Sequence, residues 1–158
     1  MSNAEAAYAV LKPTEGDERG HGDWFEITQD QISAFADCTW DHQFIHIDEE
    51  RAKAETPFGG TIAHGFLTLS MLTHLMQSVP VNTPRLEGAV MGINYGLDRV
   101  RFISPVNRGK RVRAHAVVKS VELKAASVQT VTTITVEIED GPRPALVADW
   151  VTRTVFDS

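Results

Sequence analysis

The sequence predicts an α+β protein in which an antiparallel sheet wraps around a long buried helix. Residues 61–78, "TIAHGFLTLSMLTHLMQS", space their apolar side chains as a helix does and leave almost no polar face, the pattern of a helix covered on nearly all sides. The second half of the chain changes to period two. Met91, Ile93, Tyr95 and Leu97 alternate, then Val112 to Val118, then Val128 to Ile138, and a Val-rich segment at 145–156 supplies a fourth long strand. No helical spacing separates these strands, which excludes the alternating order of a parallel α/β sheet.

In chain order, residues 1–22 mix Gly, Glu, Lys and Pro without a sustained period and read as a partly ordered arm, with a single domain over 23–158. "WFEI" is a short strand. Thr28 and Gln31 then form a T-x-x-Q capping box for a helix that turns Ile32, Phe35 and Ala36 inward and ends near Cys38. Asp48 caps a second short helix, "EERAKA", and this leaves 39–47 as a loop held between two helices. "TPFGG" makes a turn before the buried helix, and "PVNTPRLEG", 80–88, makes a loop after it. A phase slip between Leu97 and Val100, beside Gly96, predicts a β-bulge.

At 158 residues, 42% hydrophobic and 23% charged, the chain fits one globular domain with a sizeable core. A net charge of −6, with 15 dispersed Lys and Arg, argues against nucleic acid as a partner. Cys38 is the single cysteine and no C-x-x-C pair is present, so neither a disulfide nor a zinc site is expected, and a reducing cytoplasm fits. "MSNAEAAYAVLK" lacks the basic start of a signal peptide, and the 61–78 run carries His64, His74 and Gln77, so no membrane partner is expected either.

One stretch breaks the apolar pattern: "CTWDHQFIHID" sets Asp41, His42 and His46 among Trp40, Phe44 and Ile45. Buried charge is costly unless paired or used, which marks the stretch as a place for chemistry. Metal binding by His42 and His46 finds no third ligand of suitable spacing on a loop.

"FADCTWDHQFIH" followed by "PFGGTIAHGFLTLSML" resembles the hydratase motif of the MaoC-like dehydratase family, which includes the (R)-specific enoyl-CoA hydratases and a nodulation-protein-N-like branch. Asp41 and His46 hold the family's D-x-x-x-x-H spacing, and Ala63-His64-Gly65 holds its later A-H-G. "INYGLDRVRFISPVNRGKRVR" resembles the strand pair that follows, so the likeness extends over about 23–120. Thr39-Trp40 stands where the family has a small residue and Gly, Gln43 where Asn is common, and Phe44 where Pro is common. These departures bear on acyl-chain preference more than on reaction type.

The resemblance implies a hot-dog fold, no cofactor, a homodimer or larger homo-oligomer, and reversible syn hydration of a trans-2-enoyl-CoA to an (R)-3-hydroxyacyl-CoA. Such chemistry needs a base for water, an acid for C2 and a donor for the thioester oxygen. Asp41 can accept from water, and His46, with an ordinary pKa of ~6.5, can hold the same water and carry a proton either way. Gly65, at the helix start, matches the family's oxyanion-hole amide. Gln43, His64 and Tyr95 are candidates for substrate contact; His64 could instead bond structurally near the helix start, and Tyr95 could serve strand packing. His42 is expected to face solvent. An acyl-CoA thioesterase and a non-catalytic acyl-CoA-binding module are the alternatives on this fold. Thioesterases of this fold commonly use a carboxylate from the central helix, and 61–78 has none.

Overall fold

Alternation of apolar and polar residues builds the sheet that the rest of the chain packs against. The computed structural model describes residues 1–81 and 84–157. Its long strands are β3 (Ala89–Phe102), β4 (Arg111–Lys124), β5 (Ser127–Ile138) and β6 (Leu146–Phe156). Two short strands, β1 (Glu18–His21) and β2 (Phe25–Glu26), both pair with β4, and the sheet order is β1-β4-β5-β6-β3 with every pairing antiparallel. The register of β3 against β6 shifts between Asn94 and Gly96 and again between Asp98 and Arg101, so the chain bulges where the phase slip predicts.

The inner face of the sheet presents Val112, Ala114, Ala116, Ile134, Val136, Leu146 and Ala148, all fully buried. The three alanines let helices approach closely, and each fully buried Val, Leu or Ile contributes about 1.5–3 kcal/mol. Against them pack Ile32 of α2 (Gln29–Thr39), Leu67 of α5 (Gly65–Ser70), and Leu72 and Leu75 of α6 (Leu72–Leu75). Two further short helices, α3 (Phe44–Ile47) and α4 (Glu49–Glu55), lie between α2 and α5. Helix α2 has the capping box expected of it: Gln31 N–H donates to Thr28 Oγ1 at 3.3 Å and Thr28 N–H to Gln31 Oε1 at 3.0 Å. Asp48 caps α4 through the Arg51 N–H at 3.0 Å.

Three expectations need correction. Residues 1–22 are not a partly ordered arm: α1 (Asn3–Leu11) starts at a Ser2–Glu5 capping box and buries Ala4, Ala7 and Leu11 against Val118, Val121, Val128 and Phe156. That apolar spacing covers the end of the sheet that α5 and α6 do not reach. The 61–78 helix is not continuous: 61–64 is extended, helix begins at Gly65, and Met71 with ψ −4° tightens the chain between α5 and α6. Nor is it covered all round, since Phe66 is 68% exposed and Thr73 and His74 are exposed as well. Finally, 39–47 is only partly loop, because Phe44–Ile47 makes the turn of α3 that carries His46. Of the expected 80–88 loop, 82 and 83 lie outside the described residues.

Candidate active site

Helix α2 stops because Trp40 takes a left-handed conformation, φ +63°, at its C-cap. A non-glycine residue adopts this at a cost of about 1 kcal/mol, and the reversal swings Asp41 out of the helix, where its side chain remains 51% exposed. The Gln43 carbonyl accepts from His46 N–H at 2.9 Å as α3 begins. One turn is enough to bury His46.

His46 Nδ1 lies 2.7 Å from the Ile62 carbonyl oxygen. Only an N–H can serve that oxygen, so the partner assigns the proton to Nδ1 and leaves Nε2 as a lone-pair acceptor. Burial pushes the His46 pKa below its ordinary value, against the pull of the Ile62 carbonyl; the nearby His64 lowers it further and Asp41 raises it. The ring is therefore neutral at neutral pH.

His64, the N-cap residue of α5, is 2% exposed and donates through Nε2 to the Asp41 carbonyl oxygen at 3.0 Å. Its ring stacks on His46 with centroids 3.7 Å apart and lies 4.9 Å from the Phe35 ring. It thus ties the Asp41 loop to the start of α5 and backs the His46 imidazole, while its Nδ1 is buried without a hydrogen-bond partner among the described residues. Asp41, His46 and His64 each place one ligand atom within 4.8 Å of the others, close enough to share a water or a cation. The pair weighed from sequence, His42 and His46, is not what the fold gathers: His42 turns outward to Asp37 at 2.8 Å.

Gly65 opens α5, and the first helical hydrogen bond runs from Thr68 N–H to the His64 carbonyl, which leaves the amides of the first turn without helical partners. A Cβ on Gly65 would sit 2.9 Å from the Phe102 ring, so glycine allows strand and helix to close on each other here. His46, Ile62, Gly65, Phe66 and Phe102 border a cavity of about 370 Å³. On the other side of Phe66 a second cavity, about 500 Å³, is lined by Phe35, Leu72, Thr73, Asn94, Leu97 and Trp150.

The fold therefore gathers Asp41, His46, His64 and Gly65. Gln43 stays on the exposed loop beside them, its N–H 3.5 Å from Asp41 Oδ1. Tyr95 lines neither cavity; it stacks under the Arg153 guanidinium at 3.5 Å, because the bulge at 94–96 sends it to the outer face while Asn94 and Leu97 face the cavity. Sequence reasoning missed the Ile62 carbonyl, since a backbone acceptor has no side-chain signature, and Phe35 and Trp150, which read as ordinary core residues.

A sheet wrapped on helices, with a carboxylate and a neutral imidazole beside an unsatisfied helix start, is a hot-dog fold with polar groups gathered at one end of its central helix. The chain belongs to the MaoC-like hydratase/dehydratase family, whose MaoC like domain matches residues 10–140. It is 51% identical to Nodulation protein N of Rhizobium leguminosarum bv. viciae over 154 residues, 97% of this chain and 94% of that one. It is 45% identical to 3-hydroxyacyl-thioester dehydratase Z of Mycobacterium tuberculosis over 148 residues, 93% and 95% of the two chains. An (R)-hydratase from A. caviae shares the fold, with a TM-score of 0.67 and 22% identity, over 87% of this chain and 94% of that one.

Proposed function

We propose that the protein is an (R)-specific 2-enoyl-CoA hydratase/dehydratase. The observation that carries this is the pairing of Asp41 with an imidazole whose Nδ1–H is committed to Ile62 and whose Nε2 is left free to accept. One water can donate one hydrogen to the Asp41 carboxylate and the other to His46 Nε2. As its oxygen bonds to C3, one acceptor takes its proton, and the C2–C3 π pair moves toward the thioester oxygen, which the Gly65 amide receives. Return of the proton to C2 restores the carbonyl and completes the addition of H and OH. Because both groups hold the same water, oxygen and proton arrive on one face, which is syn addition. The 500 Å³ cavity beyond Phe66 suits the acyl tail.

His46 acts as a base in its neutral form, so kcat/KM falls as the pH drops through its pKa. Burial lowers that pKa, which places the acid limb below ~6.5; a limb at or above that value would count against His46 as the base. The simplest test of the function is an assay with crotonyl-CoA. Loss of the enoyl chromophore without release of thiol is expected. Release of free CoA would mean a thioesterase, and binding without either change a non-catalytic module.

The same reading makes the protein a homodimer or larger homo-oligomer. β3 is a fourteen-residue edge strand, and Val90, Met91, Ile93, Leu97 and Phe102 are exposed along it, beside Phe66. An edge this long and apolar invites pairing, and a second copy carries the matching edge. Light scattering at micromolar concentration should give at least twice the 17.4 kDa chain mass; a monomer would contradict it. No described helix is long and apolar enough to cross a membrane, and a CoA thioester substrate suits the cytoplasm.

A further inference from the structure

The bond that sets the His46 tautomer is only as fixed as the Ile62 carbonyl that receives it. Ile62 lies on the extended 61–64 segment, which pairs with the loop between β3 and β4 through an isolated bridge to Asn107. Thr61, just before it, is fully buried. Its N–H donates to Glu49 Oε2 at 3.0 Å, and its hydroxyl donates to Gln29 Oε1 at 2.6 Å while lying 3.1 Å from Glu49 Oε2. Gln29 in turn donates through Nε2 to the His46 carbonyl oxygen at 2.8 Å. Thus one arm from Thr61 reaches the acceptor of the His46 ring through the chain, and the other reaches the His46 backbone through Gln29.

Glu49 is itself clamped. Arg108 donates to it through Nε and Nη2, each at 3.0 Å, and Lys53 Nζ stands at 3.0 Å. The Thr61 N–H, followed by the Lys53 and Arg108 cations, holds the Glu49 carboxyl down at about 2, so the clamp stays anionic at any working pH. Gln29, Glu49 and Thr61 line a polar cleft separate from the cavity that His46 borders, so their influence on the reacting atoms is indirect.

We propose that Glu49 is a positioning residue for His46, acting through Thr61 and Gln29 to fix both the imidazole and the carbonyl that sets its tautomer. The inference rests on the assignment of His46 as the catalytic histidine. Misplacing a reacting group by about 1 Å can cost roughly 10²-fold in rate, and a loosened hub shifts His46 by less.

The test compares Glu49→Gln, Thr61→Val and Thr61→Ser with the parent in the full-length protein. Glu49→Gln and Thr61→Val should lower kcat for crotonyl-CoA by about tenfold with KM unchanged, and Thr61→Ser, which keeps the hydroxyl, should retain the parent kcat. Imidazole ¹⁵N NMR gives a readout independent of turnover. In the parent the His46 proton sits on Nδ1; in Glu49→Gln and Thr61→Val the two tautomers should mix and the pKa should fall further, since the Ile62 acceptor that raises it is loosened. Gln29→Met cuts the second arm and leaves Thr61 bonded to Glu49 alone, and it carries the same expectation if Thr61→Val does not fold. A His46 spectrum and titration unchanged in Glu49→Gln, or a rise in KM with kcat intact, would overturn the proposal. Failure of the His46 assignment would show separately, as unchanged turnover in His46→Gln, and failure of the hydratase reading as no hydration of crotonyl-CoA by the parent.

Discussion

Asp41→Asn and His46→Gln should each lower the hydration rate of crotonyl-CoA by roughly 10²–10⁴-fold, the range for loss of a general acid or base. Neither change should unfold the protein. Asp41 is half exposed and its side chain makes only long contacts, to the Gln43 N–H at 3.5 Å and to His64 Nε2 at 4.0 Å. His46→Gln gives up the ring stacked on His64 and keeps an amide that can still reach the Ile62 carbonyl. The double variant is more telling than either single one. If both side chains serve one water, removing the second after the first costs little more, as in other residues that act as a unit. Fully additive losses would mean two separate roles, and circular dichroism showing lost secondary structure would move the effect from chemistry to folding.

Gly65→Ala should be the next most damaging change, lowering kcat by about 10²-fold. The backbone N–H survives the substitution, so the loss comes from geometry. The new Cβ lands 2.9–3.1 Å from three atoms of the Phe102 ring, and either the ring or the first turn of α5 must move. That turn carries the amide meant for the thioester oxygen, and it follows directly on His64, which holds the Asp41 loop. A smaller side chain at the strand relieves the contact, so Gly65→Ala with Phe102→Leu should recover part of the lost rate. Parent-level turnover in Gly65→Ala alone would mean that the contact with Phe102 does not set the position of that amide.

Much of this arrangement is legible in the sequence, because local chemistry sets it. The Thr28–Gln31 capping box, the Asp48 cap, the bulge beside Gly96 and the alternation of β4 and β5 each depend on residues close together in the chain. Asp41 and His46 are legible for the same reason, since their spacing and the later His64-Gly65 come as one pattern. What could not be read depends on distant partners. The Ala4, Ala7 and Leu11 stripe is too small to announce a helix until Val121 and Phe156 are seen to cover it. The break at Met71 follows from one backbone angle with no Gly or Pro to mark it. Tyr95, a candidate for substrate contact or for strand packing, carries no local sign of the register shift between Asn94 and Gly96 beside which it meets Arg153. The clamp from Glu49 to His46 joins the side chains of Glu49, Thr61 and Gln29 to backbone groups far away in the chain, a pairing that no local spacing announces.

The measurement that tests the central claim most directly is hydration of crotonyl-CoA in D₂O, with stereochemical analysis of the 3-hydroxybutyryl-CoA formed. A single water held between Asp41 and His46 predicts deuterium at C2 on the same face as the new hydroxyl, and the proposed specificity predicts the (R) configuration at C3. An (S) product, delivery of deuterium to the opposite face, or crotonate with free CoA would contradict it.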